Sequence, residues 1–524
     1  MNYSKPNASP ATLTKNRTDP SPISGLCVTC VDGCPGPCEV AKSAIRGSEV
    51  IYPAPFGIIT TASQKNYPMN LSHFNILGTA VGAVGIEANS DKAIFPNVNL
   101  ETKIGQGKGI KLKVPWFTCG LGSTKIAKDN WKELAIGAAM SGTMQVIGEN
   151  VCGMDVDSKF KNGKIVHSPE LEWRVKSYND WKTEGYGAIV VQANVEDTRL
   201  GVLEYAISGL EVDAVELKWG QGAKDIGGEV KIKDLAKAQL LKKRGYVVLP
   251  DPEKPEVIEA FKKRQFTEFE RHSRVGMVNQ EDFVNTVKDL RSLGAKYIFL
   301  KTGAYRPADL ARAVKFSSIA KIDLLTVDGA GGGTGMSPWR MMNEWGIPCV
   351  NIWSLTYQYV DRLAKKGDYV PSIAFAGGVT LEDHIFKALA LGAPYVKAIG
   401  LARAPITAAM VGKNVGLRIS KENLPIYYGR YGNNVEGVFI EAGGLKRRFG
   451  KDFKDIPTGA IGLYTYNQRL AQGLKQLMCG ARKFALQHIT RDDIVALTTE
   501  AARASGIKYV MDVDKEEVEK ILNS

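Results

Sequence analysis

The sequence lacks the long apolar run of a membrane protein. Nowhere in its 524 residues do apolar side chains extend over the roughly 18 positions that a bilayer-spanning helix needs. The N-terminus is polar and contains several prolines, unlike the basic and then apolar start of a secretory signal. We therefore expect a cytoplasmic protein that does not associate with a membrane.

Dense basic patches, paired histidines and a dinucleotide motif are also missing. The net charge of +13 comes from lysines and arginines interleaved with Asp and Glu, which favours solvated surface over a nucleic-acid partner. The five histidines lack metal-site spacing, and only His272 is a candidate functional residue. No G-x-G-x-x-G separates an early strand from its helix, which argues against a doubly wound sheet that binds NAD.

Short β-rich runs alternate with amphipathic stretches from Pro115 to about Met410. Eight strands are predicted, over residues 113–119, 143–148, 187–193, 212–219, 295–302, 322–328, 372–378 and 395–400. Helices are predicted in between, for instance at DNWKELAIGAAMSG, EDFVNTVKDLRSLG, RPADLARAVKFSS and LEDHIFKALALG, because apolar residues recur three and four apart. Eight such units close most naturally as an α/β fold of the TIM (β/α)8 barrel type.

The predicted organisation has four parts. Residues 1–50 are a flexible arm and a cysteine-rich cluster-binding extension, 51–112 flank the barrel, 113–415 form the barrel, and 416–524 form a mixed, partly helical C-terminal tail. The first 26 residues are rich in Asn, Ser, Thr and Pro and have too few apolar side chains to offset the entropy of ordering.

The loops after the barrel strands contain the unusual residues. Active sites of this fold lie at the C-terminal ends of the strands, and a phosphate site often follows strands seven and eight. Strand four leads into a glutamate, two lysines and an amide beside glycines, strand six into a glycine run, and strands seven and eight into glycines and an arginine. These residues are Glu216, Lys218, Gln221 and Lys224; Asp328, Gly331, Gly332 and Gly333; Gly377 and Gly378; and Gly400 and Arg403.

Taken in order, these loops resemble the FMN-binding domain of glutamate synthase. The E-I-K, Q-G-A-K-P-G and glycine pair of that family correspond to 216–228, with Asp225 in place of the usual proline. Its G-G-T-G-A-S-P is similar to 332–338, and its N-T-G-E-G-G is similar to 146–150, where only the Gly-Glu pair is kept. The resemblance covers roughly residues 110–415 and implies a TIM barrel that binds FMN.

Three features of that family are not found. Met1 is followed by Asn2 rather than a nucleophilic cysteine of an amidotransferase domain, so we expect no ammonia release from glutamine by this chain. The cluster cysteines spaced C-x5-C-x4-C after the barrel are replaced by AAMVGKNVGLRIS. The glycine-repeat β-helix that usually follows is absent from the sequence as well.

The resemblance and flavin chemistry together imply residue roles. Side chains and backbone at the ends of strands one and three are expected at the pyrimidine edge, and Lys301 near the N1 and O2 edge, where negative charge accumulates on reduction. The alternative for Lys301 is an ammonium that reaches solvent above the barrel rim. The residues expected to contact FMN are Thr118, Cys119, Gly120, Gln192, Lys301, Asp328, Gly331, Gly332, Gly333, Gly377, Gly378, Gly400 and Arg403.

Substrate binding is assigned to the strand-four loop. Lys218, Gln221 and Lys224 suit a dicarboxylate such as 2-oxoglutarate, because cations and amide donors bind carboxylates. Glu149 and Glu216 are expected to orient those lysines or to relay a proton to an imine nitrogen. A simple salt-bridge role is the alternative for both carboxylates.

Four cysteines crowd into one N-terminal segment, Cys27, Cys30, Cys34 and Cys38, spaced C-x2-C-x3-C-x3-C among glycines and prolines. This compressed spacing is loosely similar to ferredoxin segments and predicts an iron–sulfur cluster, of the [4Fe–4S] type. Structural zinc is the alternative, although its four thiolates usually come from two separated pairs. The other four cysteines are dispersed and are expected to be small buried residues rather than ligands.

The predicted function is an FMN- and iron–sulfur-dependent oxidoreductase acting on CH–NH2 donors, which reduces an imine or 2-oxo acid toward an amino acid. Electrons would come from ferredoxin or from a redox or amidotransferase partner subunit, and a homo-oligomer is allowed. The alternatives are another FMN barrel dehydrogenase, of the 2-hydroxy-acid or IMP type, and a flavin-binding electron-transfer subunit without its own substrate. The IMP type needs a nucleophilic cysteine in the strand-six loop, and residues 329–337 contain none.

Overall fold

The computed structural model describes Asp32 and residues 39–46, 67–222, 230–332 and 337–524. Several residues singled out above lie outside this part of the chain, namely Cys27, Cys30, Cys34, Cys38, Lys224 and Gly333.

Eight parallel strands form a closed barrel, which confirms the predicted fold class. Each strand pairs with the next, and the eighth closes on the first with Gly400 opposite Phe117. Every predicted run overlaps its observed strand. The barrel strands are β1 (Trp116–Leu121), β2 (Gln145–Ile147), β3 (Ile189–Ala193), β4 (Ala214–Lys218), β5 (Tyr297–Thr302), β6 (Leu324–Asp328), β7 (Ser372–Ala376) and β8 (Val396–Leu401).

One main helix follows each strand and covers the outside of the barrel. These helices are α1 (Trp131–Met140), α2 (Pro169–Asn179), α3 (Val202–Leu210), α4 (Gln280–Ser292), α5 (Pro307–Ile319), α6 (Cys349–Lys365), α7 (Glu382–Leu391) and α8 (Arg403–Ser420). Local sequence sets where they begin: Ser168 caps α2 by accepting a hydrogen bond from the Leu171 amide, and Asn279 caps α4. Shorter helices span Lys125–Asp129, Val151–Met154, Val195–Leu200, Leu235–Lys243, Pro255–Lys262 and Trp339–Glu344.

A hairpin closes the end of the barrel opposite the strand C-termini. Its strands, Thr102–Ile104 and Ile110–Leu112, pair antiparallel. Their side chains join the interior cluster formed by Phe117, Val146 and Phe299. The apolar interior is thereby sealed at this end, and the polar loops are gathered at the other.

An antiparallel sheet of three short strands is inserted between β4 and α4. It consists of Val230–Ile232, Val247–Leu249 and Phe269–His272, with the last in the middle. A second small sheet joins Phe74–Ile76 to Ile494–Ala496 near the C-terminus, and a hairpin joins Lys159–Lys161 to Lys164–His167.

The C-terminal tail is mainly helical, and its long helix α9 (Thr458–Gly480) packs on α8, α1 and α7. Helices α8 and α9 cross closely, since a Cβ at Gly412 would lie 2.8 Å from the Thr458 carbonyl oxygen. Further helices span Glu39–Arg46 near the start of the chain and Ile426–Gly429, Val435–Val438, Ala442–Phe449, Thr499–Ser505 and Lys515–Leu522 in the tail. Among the described helices, none combines the length and apolar character that crossing a membrane requires.

Candidate active site

A cavity of about 1220 Å³ opens at the C-terminal ends of the barrel strands. Its volume lies above the usual range of about 300–1,000 Å³ for ligand sites and exceeds what a small substrate alone fills. Many of the predicted site residues line it. These are Cys119, Gly120, Glu149, Gln221, Lys301, Asp328, Gly332, Gly377, Gly378, Gly400 and Arg403.

Lys301, at the end of β5, lies inside this cavity and not above the rim. Its ammonium forms an ion pair with Asp328 on β6, at 3.1 Å, and both side chains are buried. Burial alone would lower the pKa of Lys301, but Asp328, Cys119 and Glu216 together raise it well above its usual value. The lysine is therefore a fixed positive charge in the cavity wall.

Lys218, at the end of β4, connects two cavity-lining side chains. Its ammonium donates to Glu149 Oε1 at 2.8 Å and to Gln221 Oε1 at 2.7 Å. Only 8% of the lysine side chain is exposed, against 18% for Glu149. Glu149 thus orients Lys218, and two of the three ammonium protons are already used.

Behind this group, Gln192 on β3 donates to the Glu216 carboxylate. Gln192 Oε1 is buried and has no hydrogen-bond partner among the described residues. A Cβ on Gly120 would lie 2.7 Å from that oxygen. Because residue 120 is a glycine, the space next to the oxygen is not filled by a side chain. Burial raises the pKa of Glu216, and the charge of Lys301 opposes that shift.

Thr118, Gln192, Glu216, Lys218 and Gly331 do not line the cavity. Thr118 is buried within β1, and its amide donates to the Met144 carbonyl at 3.1 Å. Gln192 and Lys218 lie directly behind the lining, Gln192 against Gly120 and Lys218 against Glu149 and Gln221.

The β7 and β8 end of the cavity is built from glycines and one arginine. Gly377 has a φ of +127°, and a Cβ there would lie 2.4 Å from Cys349 Sγ. Arg403 is the first residue of the 18-residue helix α8 and forms no ion pair within the described part of the chain. An arginine at a helix N-terminus beside accessible glycine backbone provides the donors that a phosphate group needs.

Sequence reasoning missed Arg271, which lines the cavity from the inserted sheet. Arg271 is only 1% exposed to solvent. Its neighbour His272 points elsewhere and contacts Glu270 at 3.2 Å, outside the cavity lining. The sequence did contain a signal for this burial. In the strand Phe269–His272 alternate residues share a face, so the arginine lies on the same face as a fully buried phenylalanine.

Behind Glu149, the carboxyl group of Asp197 is almost completely buried. Its Oδ2 accepts a hydrogen bond from the Asn150 amide at 2.8 Å, whereas its Oδ1 has no partner among the described residues. Burial raises the pKa of Asp197 from 3.8 to about 7. The folded protein therefore holds a proton here that the unfolded chain releases at much lower pH.

Asp197→Asn is expected to remove a pH dependence of stability. In the wild type the contribution of Asp197 is fully present below pH 3.8 and is lost as the pH rises through about 7, because ionisation is then disfavoured only in the folded state. Each unit of pKa shift corresponds to about 1.4 kcal/mol. Urea unfolding at pH 5 and pH 8 should show the wild type losing stability relative to the variant. Asp213→Asn, at a surface ion pair with Lys296, is the control, and its stability should change between the two pH values as that of the wild type does. An equal pH response in wild type and Asp197→Asn would contradict this prediction.

The chain has recognisable relatives. The family pattern described as the conserved region in glutamate synthase matches residues 271–411, which include β5 to β8 and the start of α8. The glutamate synthase large subunit-like protein YerD of Bacillus subtilis (strain 168) is 31% identical over 192 residues, covering 36% of this chain and 32% of that protein. The archaeal glutamate synthase [NADPH] of Methanocaldococcus jannaschii is 28% identical over 233 residues, covering 43% and 38%.

Solved structures with a similar outline include the recombinant flavin-binding domain of baker's yeast flavocytochrome b2. It covers 86% of this chain and 81% of its own, with 12% identity and a TM-score of 0.46. A lactate oxidase of Pediococcus acidilactici covers 79% and 81%, with 14% identity and a TM-score of 0.42.

This chain spans well under half the length of the two curated relatives it matches. Within the described residues, no group of His, Cys, Asp and Glu side chains is arranged to hold a metal ion. The matched region contains Lys301, Asp328 and the glycine and arginine end of the cavity. The resemblance to glutamate synthase inferred from the loop motifs is therefore confirmed for part of this chain, at modest identity.

Proposed function

We propose that this chain binds FMN at the barrel mouth and acts as an oxidoreductase of the glutamate synthase type. The observation that carries the proposal is one cavity with an arginine at a helix N-terminus on one side, which has no ion pair among the described residues, and a buried lysine on another. FMN has a phosphate group at one end, and its isoalloxazine ring gains negative charge on reduction. The two cations suit these two ends.

The donor set of the cavity fits this cofactor. Arg403, Gly377, Gly378 and Gly400 would hold the phosphate, through a guanidinium and backbone amides. Gln192 Oε1, buried and unpartnered in the described chain, suits an N–H of the flavin pyrimidine edge. FMN supplies hydride-equivalent chemistry when bound.

The protein side chains position charge for that chemistry. Lys301, fixed in place by Asp328, would hold its positive charge near the edge of the bound ring that becomes negative on reduction. The Lys218 ammonium lies directly behind Glu149 and Gln221 and donates to both, so it would hold these two cavity-lining side chains in place beside a substrate.

The proposed reaction is the reduction of an imine or 2-oxo acid of the 2-oxoglutarate type toward an amino acid. The cations at the mouth support an anionic substrate, and the relatives are named as glutamate synthases. We propose that single electrons from ferredoxin or a partner subunit enter through an iron–sulfur cluster held by Cys27, Cys30, Cys34 and Cys38. This part of the proposal depends on the cysteine spacing, since these residues lie outside the described chain.

Cys349 lies near the strand-six loop, where an IMP-type dehydrogenase needs a nucleophilic cysteine. It begins α6, and its Sγ lies next to the strand-six loop, 2.9 Å from Gly377 O and 3.1 Å from Ala330 O, so that two carbonyls share its single S–H. Burial raises the pKa of this thiol far above neutrality. A buried thiol engaged with two carbonyls is a poor nucleophile, so its position does not support that alternative.

The proposal predicts that the purified chain releases FMN, and not FAD or NAD, when it is denatured. The cavity has one arginine-and-glycine end for a terminal phosphate, and the sequence lacks the dinucleotide fingerprint. Chromatography of the supernatant after heating measures this directly. Release of FAD, or of no flavin from protein prepared with excess flavin, would contradict the proposal.

An Arg403→Gln variant extends the same test. Loss of one charge-assisted contact of about 1.5–3 kcal/mol should weaken FMN binding by roughly 10- to 100-fold. Arg418→Gln, in the last turn of the same helix and away from the cavity lining, is the matched control. Equal FMN affinity in the two variants would place the phosphate elsewhere.

A further inference from the structure

Arg271 is held rigidly at the barrel mouth. It lies in the middle strand of the inserted sheet, opposite Val230 on one side and Val248 on the other. The ring of Tyr246 lies 5.0 Å from its guanidinium carbon. Both the backbone and the side chain are therefore fixed by packing, which suits a group that must meet a ligand in one orientation.

The guanidinium of Arg271 has donors to spare. Its Nη1 donates to Ser273 Oγ at 2.8 Å, but its Nε is buried without a hydrogen-bond partner in the described part of the chain. No ion pair joins it to a carboxylate there. A desolvated cation without a counter-charge is costly, which is why buried arginines are normally paired.

The described carboxylates that act on the charge of Arg271 each form a hydrogen bond or an ion pair with another group. Glu149 pairs with Lys218, Asp197 accepts the Asn150 amide, and Glu196 pairs with Arg199 and Arg274. They lie close enough to act on the charge of Arg271 without binding it. Among the described residues no carboxylate binds Arg271, and the cavity that it lines is the place where a ligand can supply one.

We propose that Arg271 is the principal anchor for the substrate carboxylate, and that it selects 2-oxo acids over uncharged carbonyl compounds. This inference rests on the proposed function, because it places the anion in the same cavity as the flavin. The guanidinium has free donors suited to two carboxylate oxygens, whereas the Lys218 ammonium already donates to two side chains. Lys218 is then left to position Glu149 and Gln221 in the cavity wall.

The test is the binding of 2-oxoglutarate, pyruvate and dimethyl 2-oxoglutarate to the holoenzyme, measured by calorimetry. The wild type should bind the acids and discriminate against the ester. Arg271→Gln should weaken binding of the acids by roughly 10- to 100-fold and remove the discrimination, because a charge-assisted bidentate contact is lost. Arg271→Lys should restore part of the affinity, and added guanidinium ion should restore binding to Arg271→Ala.

Arg274→Gln is the matched control. This arginine is three residues away, and it pairs with Glu196 instead of lining the cavity. Its affinity for the acids should equal that of the wild type. Thermal unfolding of each variant separates a binding defect from a loss of fold.

The proposal is overturned if Arg271→Gln binds the acids as tightly as the wild type, or if the wild type binds neither acid. It is also overturned if guanidinium rescues nothing while the variant remains folded. The FMN content of each preparation is measured alongside. A wild type that binds the acids through Arg271 but holds no FMN would reject the proposed function and leave this inference standing.

Discussion

Replacing Lys301 with methionine is expected to lower the free energy of unfolding of the flavin-free protein by about 3–5 kcal/mol, since one partner of a buried ion pair is removed. The lysine and Asp328 are 7% and 12% exposed, and the ammonium also faces Glu216 and Cys119. Without the lysine, Asp328 remains as a desolvated charge or must take up a proton. Urea unfolding at pH 7 measures the loss.

Lys315→Met is the matched control for that experiment. Lys315 also pairs with an aspartate at 3.1 Å, but the side chains of Lys315 and Asp368 are 49% and 37% exposed. Exposed pairs contribute about 0–1 kcal/mol, so this variant should unfold almost as the wild type does. Similar losses in the two variants would show that the Lys301 pair does not behave as a buried one.

The same substitution tests the flavin assignment. If Lys301 stabilises the negative charge of the reduced ring, Lys301→Met should lower the flavin reduction potential. A loss of about 1.5–3 kcal/mol corresponds to roughly 30–65 mV for a two-electron couple. An unchanged potential in a variant that still holds FMN would place the ring away from this lysine.

The barrel was predictable because its signals are local. Each strand is a short buried run, and each main helix has apolar residues three and four apart, as α4 and α5 do. The loops after the strands converge by topology alone, so Lys301, Asp328 and Gly377 were expected in one site before their contacts were known.

Long-range packing explains what the sequence did not reveal. The side chain of Lys218 is oriented by Glu149, 69 residues away, and no periodicity predicts that pairing. Arg271 reaches the cavity only because a separate three-stranded sheet folds over the barrel mouth. Likewise, Cys349 lies beside Gly377 because α6 starts against the ends of β6 and β7.

The region after the barrel differs from the family pattern because it packs another helix where the family has cluster cysteines. In place of the family's cluster cysteines, α8 has small residues, and Gly412 allows the close crossing of α9. This face of α8 is therefore covered by α9. The described part of the chain has no other group of side chains arranged to bind a metal. If an enzyme of this type still needs a one-electron entry point, the four N-terminal cysteines are the remaining thiolates with compatible spacing.

Cys30→Ala should therefore remove bound iron and abolish ferredoxin-driven turnover, while the barrel keeps FMN that dithionite can still reduce. The reason is that an incompletely ligated cluster is lost, whereas the cavity residues that would hold FMN lie in a different part of the chain. Iron analysis and the visible spectrum of anaerobically purified protein measure both outcomes. Cys479→Ala is the control, because that cysteine is a free thiol in α9 and should retain full iron. Stoichiometric zinc in the wild type, or unchanged ferredoxin-driven turnover in Cys30→Ala, would exclude the N-terminal segment as the entry point and leave a flavin barrel that receives its electrons directly.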